Sequence, residues 1–150
     1  MNDEKICIAL AGMWAKIGVN VRVETMPKTQ YFQKAQKLDV SAFLLGWGGG
    51  NQDALTTLKS VMHSRDDKGS GDGNYGDFRN AELDKQIDIV ETEMDMAKRQ
   101  QSINRAVQIL QDDVLVIPLH RQVIPWVSRA NVQVIHRANN VLQPFTVKIQ

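Results

Sequence analysis

The amino-acid sequence predicts an α/β fold in which a mixed sheet is flanked by helices. Apolar residues fall at helical spacing from Ile6 to Ile17, directly before the alternating stretch "VNVRVE" at 19–24. A second apolar run, Ser41–Trp47, does not alternate and lies between two helical patterns. Alternation marks a strand with one covered face, whereas an unbroken apolar run marks a strand covered on both faces.

Turn and capping residues divide the first half of the chain. Gly18 is placed to end the first helix, and Pro27 breaks the first strand. Thr29 can open a short helix. One face of that helix would carry Tyr31, Ala35 and Leu38. After the second strand, a helix is predicted from about Asp53 to His63.

The second half begins with a loop rich in Gly and Asp at 65–77, which we expect to be solvated and mobile. Asn80 and Asp95 are predicted to cap two successive helices. Their inward-facing residues would be Leu83, Ile87, Val90 and Met94 in the first helix and Ile103, Ala106, Val107 and Leu110 in the second. Four short β-like runs follow, "VLVIPL", "QVIPWV", "NVQVI" and "FTVKI". Pro118 and Pro125 suit sheet edges or bends.

Length and composition limit the class of protein. With 150 residues, 43% of them hydrophobic, the chain is one ordinary domain or a piece of a larger protein. A net charge of +1 argues against a nucleic-acid or membrane-surface protein, which would carry a strong basic excess. A single cysteine, Cys7, excludes an internal disulfide, and its place in an apolar helix stripe predicts a core position.

The glycines at 46–50 stand between a strand and a helix, where backbone N–H groups can cradle phosphate. The phosphate-binding motif is incomplete, because Asn51 stands where a dinucleotide-binding motif has its third glycine. Asp53 would also place a negative charge where the phosphate should bind. A nucleotide- or phosphate-binding α/β enzyme domain using this loop therefore stays as the alternative function.

Other chemistry is poorly supported. The three histidines, His63, His120 and His136, are far apart, and the segment from Asp66 to Asp77 lacks the closing Glu of a calcium loop. No serine or cysteine has a visible base partner. We expect no catalytic residue, no metal and no cofactor.

Trp47 with its glycines has two interpretations. It is either a core tryptophan before a tight turn or a flat wall of a ligand cleft. Ligands of open α/β sheets collect beyond the carboxyl ends of strands, and glycines there leave backbone amides accessible.

Several phrases of the sequence occur together in an order that resembles a known family. They are "AKIGVNV" before a strand, "FLLGWGGGNQDALTTL", "NAELD", "AKR" and "VIPL". This set resembles the C-terminal part of the family 5 extracellular solute-binding proteins of ABC transporters, the peptide, dipeptide and nickel class. The resemblance implies a two-lobed, class II periplasmic-binding-protein-like fold that closes on a ligand by hinge motion.

The resemblance also implies domain boundaries. Residues 1–120 would form most of the second, C-terminal lobe without its first strand, and 121–150 would return to complete the first lobe. A truncated chain of this kind would have exposed strands, so self-association is expected, and a simple interaction module is a third interpretation. Partners would be a peptide or other small molecule and a membrane permease, in the periplasm or outside the cell, with a lipid anchor as an option.

Site residues carried over from the resemblance lie in one stretch. The ligand-binding candidates are Trp47, Gly48, Gly49, Gly50, Asn51 and Asp53. Gly50 departs from the family, because peptide binders that grip an α-ammonium group carry an aspartate three residues after the tryptophan. Losing one partner of a buried charge pair costs roughly 2–5 kcal/mol, so we expect a ligand without that ammonium group or one held elsewhere.

Overall fold

A computed structural model of the chain describes residues 3–48, 51–137 and 139–150. The helices are α1 (Asp3–Ala15), α2 (Lys28–Gln36), α3 (Ala54–Thr57), α4 (Ala81–Thr92) and α5 (Met96–Asp112). A π-helical turn, Leu58–Met62, continues α3, and a 3-10 turn spans Pro144–Thr146. The strands are β1 (Val132–Gln133) and β2 (Lys148–Ile149). Within the described ranges, no helix is both long and apolar enough to cross a membrane.

The chain divides into two compact units. Unit 1 holds residues 1–48 and 60–80, and unit 2 holds residues 49–59 and 81–150.

Unit 1 begins with α1, whose end confirms the predicted glycine cap. Gly18 adopts a left-handed φ of 82°. The N–H of Gly18 donates to Ala15 O at 3.1 Å, and the N–H of Val19 donates to Trp14 O at 3.0 Å. This pair of bonds is a Schellman motif, which satisfies carbonyls that the helix itself leaves free.

The predicted core position of Cys7 is wrong. No described residue of α1 is fully buried, and Cys7 is only partly covered. Burial, followed by the nearby Asp3 carboxylate, raises the pKa of its thiol. The apolar stripe is present in the sequence, but unit 1 alone does not cover it.

Helix α2 confirms the predicted short helix with two corrections. It begins after Pro27, and the hydroxyl of Thr29 does not cap it. Ala35 is buried, as predicted, whereas Leu38 lies beyond the helix end at a φ of 56° and is half exposed. The helix stops at Gln36, so Leu38 never reaches the predicted face.

The strands predicted at 19–24 and 41–47 have no ladder partners among the described residues. The central residues of the second run, Phe43, Leu44 and Leu45, are only partly buried, so the expectation of two covered faces is wrong. A helix closes its hydrogen bonds locally, but a strand exists only beside another strand. The sheet of the described residues is therefore limited to β1 and β2, which pair antiparallel with Val132 opposite Ile149.

Unit 2 is organised by α4 packed on α5. The apolar face of α4 is fully buried at Leu83, Ile87 and Val90, as predicted. Asp95 caps α5 by accepting from the N–H groups of Ala97 and Lys98 at 2.9 and 3.1 Å, which confirms the second cap.

Two residues predicted to face the core of unit 2 do not. Met94 lies between the helices and is 89% exposed, because α4 already ends at Thr92. Val107 is also exposed, and Ile109 is buried in α5. Ala106 and Leu110 are buried as expected.

Candidate functional site

Trp47 ends the apolar run 41–47 of unit 1 and is 47% exposed. Its ring edge approaches Gly73, since the Cζ3 atom lies 3.6 Å from the place a Cβ on that glycine would occupy. Ser60 O lies 3.0 Å from the same place and accepts a hydrogen bond from Gly73 N at 2.7 Å. Trp47 is therefore not buried in a core, but one edge of its ring lies close to the backbone at Gly73.

The glycines after Trp47 are only partly described. Gly48 is exposed, and neither Gly46 nor Gly48 has a described atom within 4 Å of where a side chain would start. Gly49 and Gly50, which the sequence analysis assigned to the site, lie outside the described residues. The backbone at Gly46 and Gly48, on either side of Trp47, is therefore accessible, as predicted.

Asn51 and Asp53 form a local cap in unit 2. Asn51 Oδ1 accepts from Asp53 N at 3.2 Å and from Thr56 Oγ1 at 2.9 Å. Asp53 Oδ1 accepts from Leu55 N at 2.8 Å and begins α3. Both candidate residues therefore organise the start of the same short helix.

Arg99 of α5 joins this cap within unit 2. Its Nη2 donates to both carboxylate oxygens of Asp53, at 2.9 and 3.0 Å, and its Nε donates to Val90 O at 2.9 Å. The hydrogen bond from Arg99, together with that from Leu55 N, holds the pKa of Asp53 below its usual value. The sequence analysis missed Arg99, because nothing local links "AKR" to an acid 46 residues earlier.

This arrangement does not favour the phosphate-binding alternative. The Asp53 carboxylate takes the N–H of Leu55 in the first turn of α3, and α3 is only four residues long. An anion at this position would lie beside the Asp53 carboxylate, and the nearby cation, Arg99, is already paired with that carboxylate.

The loop predicted at 65–77 in unit 1 is only partly solvated, in contrast to the expectation. Ser70 and Asn74 are buried. Asn74 Nδ2 donates to His63 O at 3.1 Å and to Phe78 O at 2.9 Å. A buried side-chain amide that bonds to both ends of the loop fixes its course, so the Gly- and Asp-rich composition encodes tight turns here.

An aromatic cluster supports this loop. Tyr75 contacts the rings of Phe32 and Phe43, with centroids 5.5 and 6.2 Å apart. Tyr31 stacks edge-on against Phe32 and donates its hydroxyl to Leu44 O at 2.6 Å. Arg65 lies over the Tyr75 ring at 5.6 Å. The sequence analysis missed Arg65, whose only signal was a basic residue at the edge of an acidic loop.

A shallow concavity of about 310 Å³ lies in the C-terminal segment of unit 2. The Trp126 ring packs at a tilt of 52° against the His136 ring, with centroids 5.0 Å apart, and donates Nε1–H to Asn140 Oδ1 at 2.6 Å. Among the described residues, no three His, Cys, Asp or Glu side chains cluster as metal ligands would.

Comparison with known protein families supports the resemblance seen in the sequence. Residues 1–69 match the family described as "Bacterial extracellular solute-binding proteins, family 5 Middle". No solved structure matches the chain.

Curated relatives extend the similarity beyond residue 69. The oligopeptide-binding protein OppA of Bacillus subtilis is 28% identical over 130 residues, which are 86% of this chain and 23% of OppA. The periplasmic murein peptide-binding protein MppA of Escherichia coli is 28% identical over 135 residues, 85% of this chain and 24% of MppA. Di/tripeptide-binding protein 1 of Pseudomonas aeruginosa is 26% identical over 118 residues, 79% of this chain and 21% of that protein.

The chain thus spans less than a quarter of the length of these curated relatives. The family match and the relatives together show that the chain is similar to the family 5 extracellular solute-binding proteins.

Proposed function

We propose that this chain contributes to the solute-binding component of an ABC importer that captures peptides or related small molecules. The names of the three relatives all describe peptide binding, which supports a binding role without catalysis. The ligand would pass to a membrane permease, in the periplasm or at the outer face of the cell.

Capture would proceed by closure of two lobes about a hinge. Residues 1–120 would supply most of one lobe, and 121–150 would return toward the other. A ligand that touches both lobes favours the closed state by the free energy of those additional contacts.

Half-exposed Trp47 is the observation that carries the proposal. A large aromatic face in water is costly unless something covers it, and a rigid indole offers a stacking surface at little entropic cost. The neighbouring Gly48, also exposed, leaves its backbone open to a ligand. We propose Trp47, Gly48, Gly49, Gly50, Asn51 and Asp53 as ligand-binding residues.

The roles of Asn51 and Asp53 follow from their bonds. Because the Asp53 carboxylate is bonded to Leu55 N and Arg99, it would shape and stiffen the rim of the cleft. Direct contact with ligand would fall to Trp47 and the glycine backbone.

Native mass spectrometry of the complete polypeptide that carries these residues tests the proposal. We expect a small molecule to be retained in the gas phase and released by acid. Trp47→Ala should lose it, whereas Phe145→Ala, at a side chain 83% exposed in the C-terminal segment, should retain it. A wild-type protein that carries no small molecule and binds none from a tripeptide mixture would contradict the proposal.

A further inference from the structure

Met94 and Met96 lie on either side of Asp95, at the connection between α4 and α5. Met94 is 89% exposed and Met96 is 73% exposed. Helix α4 ends at Thr92 and α5 begins at Met96, so residues 93–95 lie outside both helices. Two thioethers therefore lie in solvent, two positions apart, at a helix junction.

The bonds that fix this connection are made by other residues. Asp95 N donates to Glu93 Oε1 at 2.8 Å, and Asp95 Oδ1 accepts from the first N–H groups of α5. Arg99 Nε donates to Val90 O at 2.9 Å and ties α5 to α4. A chemical change at the sulfur of Met94 or Met96 removes none of these bonds.

An exposed thioether has a characteristic reaction with peroxides. The sulfur lone pair attacks one peroxide oxygen, so that an S–O bond forms and the O–O bond breaks. Sulfur loses two electrons and becomes a sulfoxide. The second oxygen of hydrogen peroxide takes the proton of the first and leaves as water.

Met62 offers the opposite environment in the same chain. It ends the π-helical turn Leu58–Met62 and is partly buried, next in sequence to the buried Val61. A sulfoxide is polar, so forming one in a covered place costs free energy unless it finds a hydrogen-bond donor. The same oxidation at Met94 or Met96 places its polar S–O group in water.

We propose that Met94 and Met96 form an oxidation site, where peroxides convert both side chains to sulfoxides while the chain stays folded. The site also suits methionine sulfoxide reductases, because the sulfoxides would lie exposed at a connection outside the helices. In that reduction two thiols become a disulfide, the oxygen leaves as water, and the thioether is restored. The inference does not depend on a transport role.

Peptide mapping by tandem mass spectrometry after graded exposure of the wild-type chain to hydrogen peroxide tests the site. Met94 and Met96 should each gain one oxygen as fast in the folded chain as in the urea-unfolded chain. Met62 should react roughly threefold or more slowly when folded. Suppression of the Met94 and Met96 rates to the level of Met62 would overturn the inference, and would fit the inward position that sequence spacing predicts for Met94.

Urea denaturation of the oxidised chain tests whether the fold is retained. At a peroxide dose that leaves Met62 unoxidised, the urea midpoint of the wild-type chain should not move. A double variant with Met94→Leu and Met96→Leu keeps Cys7 and the other methionines, so it controls for oxidation elsewhere. A midpoint that falls in the oxidised wild type but not in the oxidised double variant would contradict the proposal.

Reduction in the folded state tests access to the site. Methionine sulfoxide reductases A and B together, with dithiothreitol as the thiol, should restore both thioethers in the oxidised chain without urea. Sulfoxides at Met94 and Met96 that are reduced only after the chain is unfolded would show that the connection is closed to the enzymes.

Discussion

The helical pair α4–α5 and the C-terminal segment 113–150 belong to the same unit and are both rich in apolar residues. They differ in how far their apolar side chains are buried and their backbone is paired. In the pair, Leu83, Ile87 and Val90 are 0% exposed, and Arg105 bonds to Glu82 across the two helices. In the described part of the segment, two residues of each strand pair, and Val127 is 95% exposed.

The difference follows from how each element satisfies its backbone. An α-helix makes its own hydrogen bonds and needs a neighbour only for its apolar stripe. A strand needs a neighbour for its backbone as well as for its side chains. The described part of segment 113–150 therefore leaves apolar side chains exposed, whereas the inward face of α4–α5 is covered.

Replacement of Ile87 by Ala should produce the largest loss of stability and distinguish α4–α5 from segment 113–150. Ile87 is fully buried, so its loss removes apolar burial and leaves a cavity, at a cost of about 2–5 kcal/mol of unfolding free energy. Val127→Ala, at an exposed position, should change stability by less than about 0.5 kcal/mol. Urea denaturation of both variants measures the contrast, and equal losses would refute the division into a complete and an incomplete region.

Asp53 tests the link between α3 and α5 within unit 2. Asp53→Ala removes both the cap and the pairing with Arg99, and we expect a loss of about 1–2 kcal/mol. Asp53→Asn keeps an oxygen for Leu55 N and weakens only the charge interaction. Its cost should be smaller, at most about 1 kcal/mol, since the Asp53 side chain is 42% exposed.

The pH dependence follows from the lowered pKa of Asp53. The folded state binds this proton less readily than the unfolded state, so the stabilisation is complete above the usual value of 3.8 and is lost as pH falls through the lower, folded value. The stability advantage of wild type over Asp53→Asn should therefore shrink below pH 3.8 and stay constant near neutrality. An advantage that grows on acidification would contradict the pairing with Arg99.

Much of this contrast was predictable from sequence, because it rests on local signals. The caps at Gly18 and Asp95 and the α4 stripe were predicted correctly from capping residues and 3.6-residue spacing. The same spacing failed at Met94, where the stripe continued past the helix end.

Long-range partners were not predictable. The partner of Arg99 lies 46 residues away, and the stacking of Arg65 on Tyr75 depends on the tight turns of the loop. The strand predictions at 19–24 and 41–47 failed for the same reason, since an apolar pattern does not specify the neighbouring strand that a ladder needs.

A substitution in the exposed C-terminal segment should have the smallest effect on stability but a clear effect on self-association. We propose that the chain self-associates through its exposed strands, as uncovered strand edges commonly do. Val127→Lys should reduce the apparent mass in light scattering at high protein concentration while leaving the urea midpoint nearly unchanged. A wild-type chain that remains monomeric at every concentration would remove the proposal.

Calorimetry of the complete polypeptide, with the small molecule recovered from it as titrant, tests the ligand-binding role of Trp47 most directly. Trp47→Ala should weaken binding roughly tenfold or more, since the indole provides stacking area that alanine cannot replace. Trp47→Phe should lose less, and Phe145→Ala should bind as wild type does. Unchanged affinity in a folded Trp47→Ala protein would contradict the account.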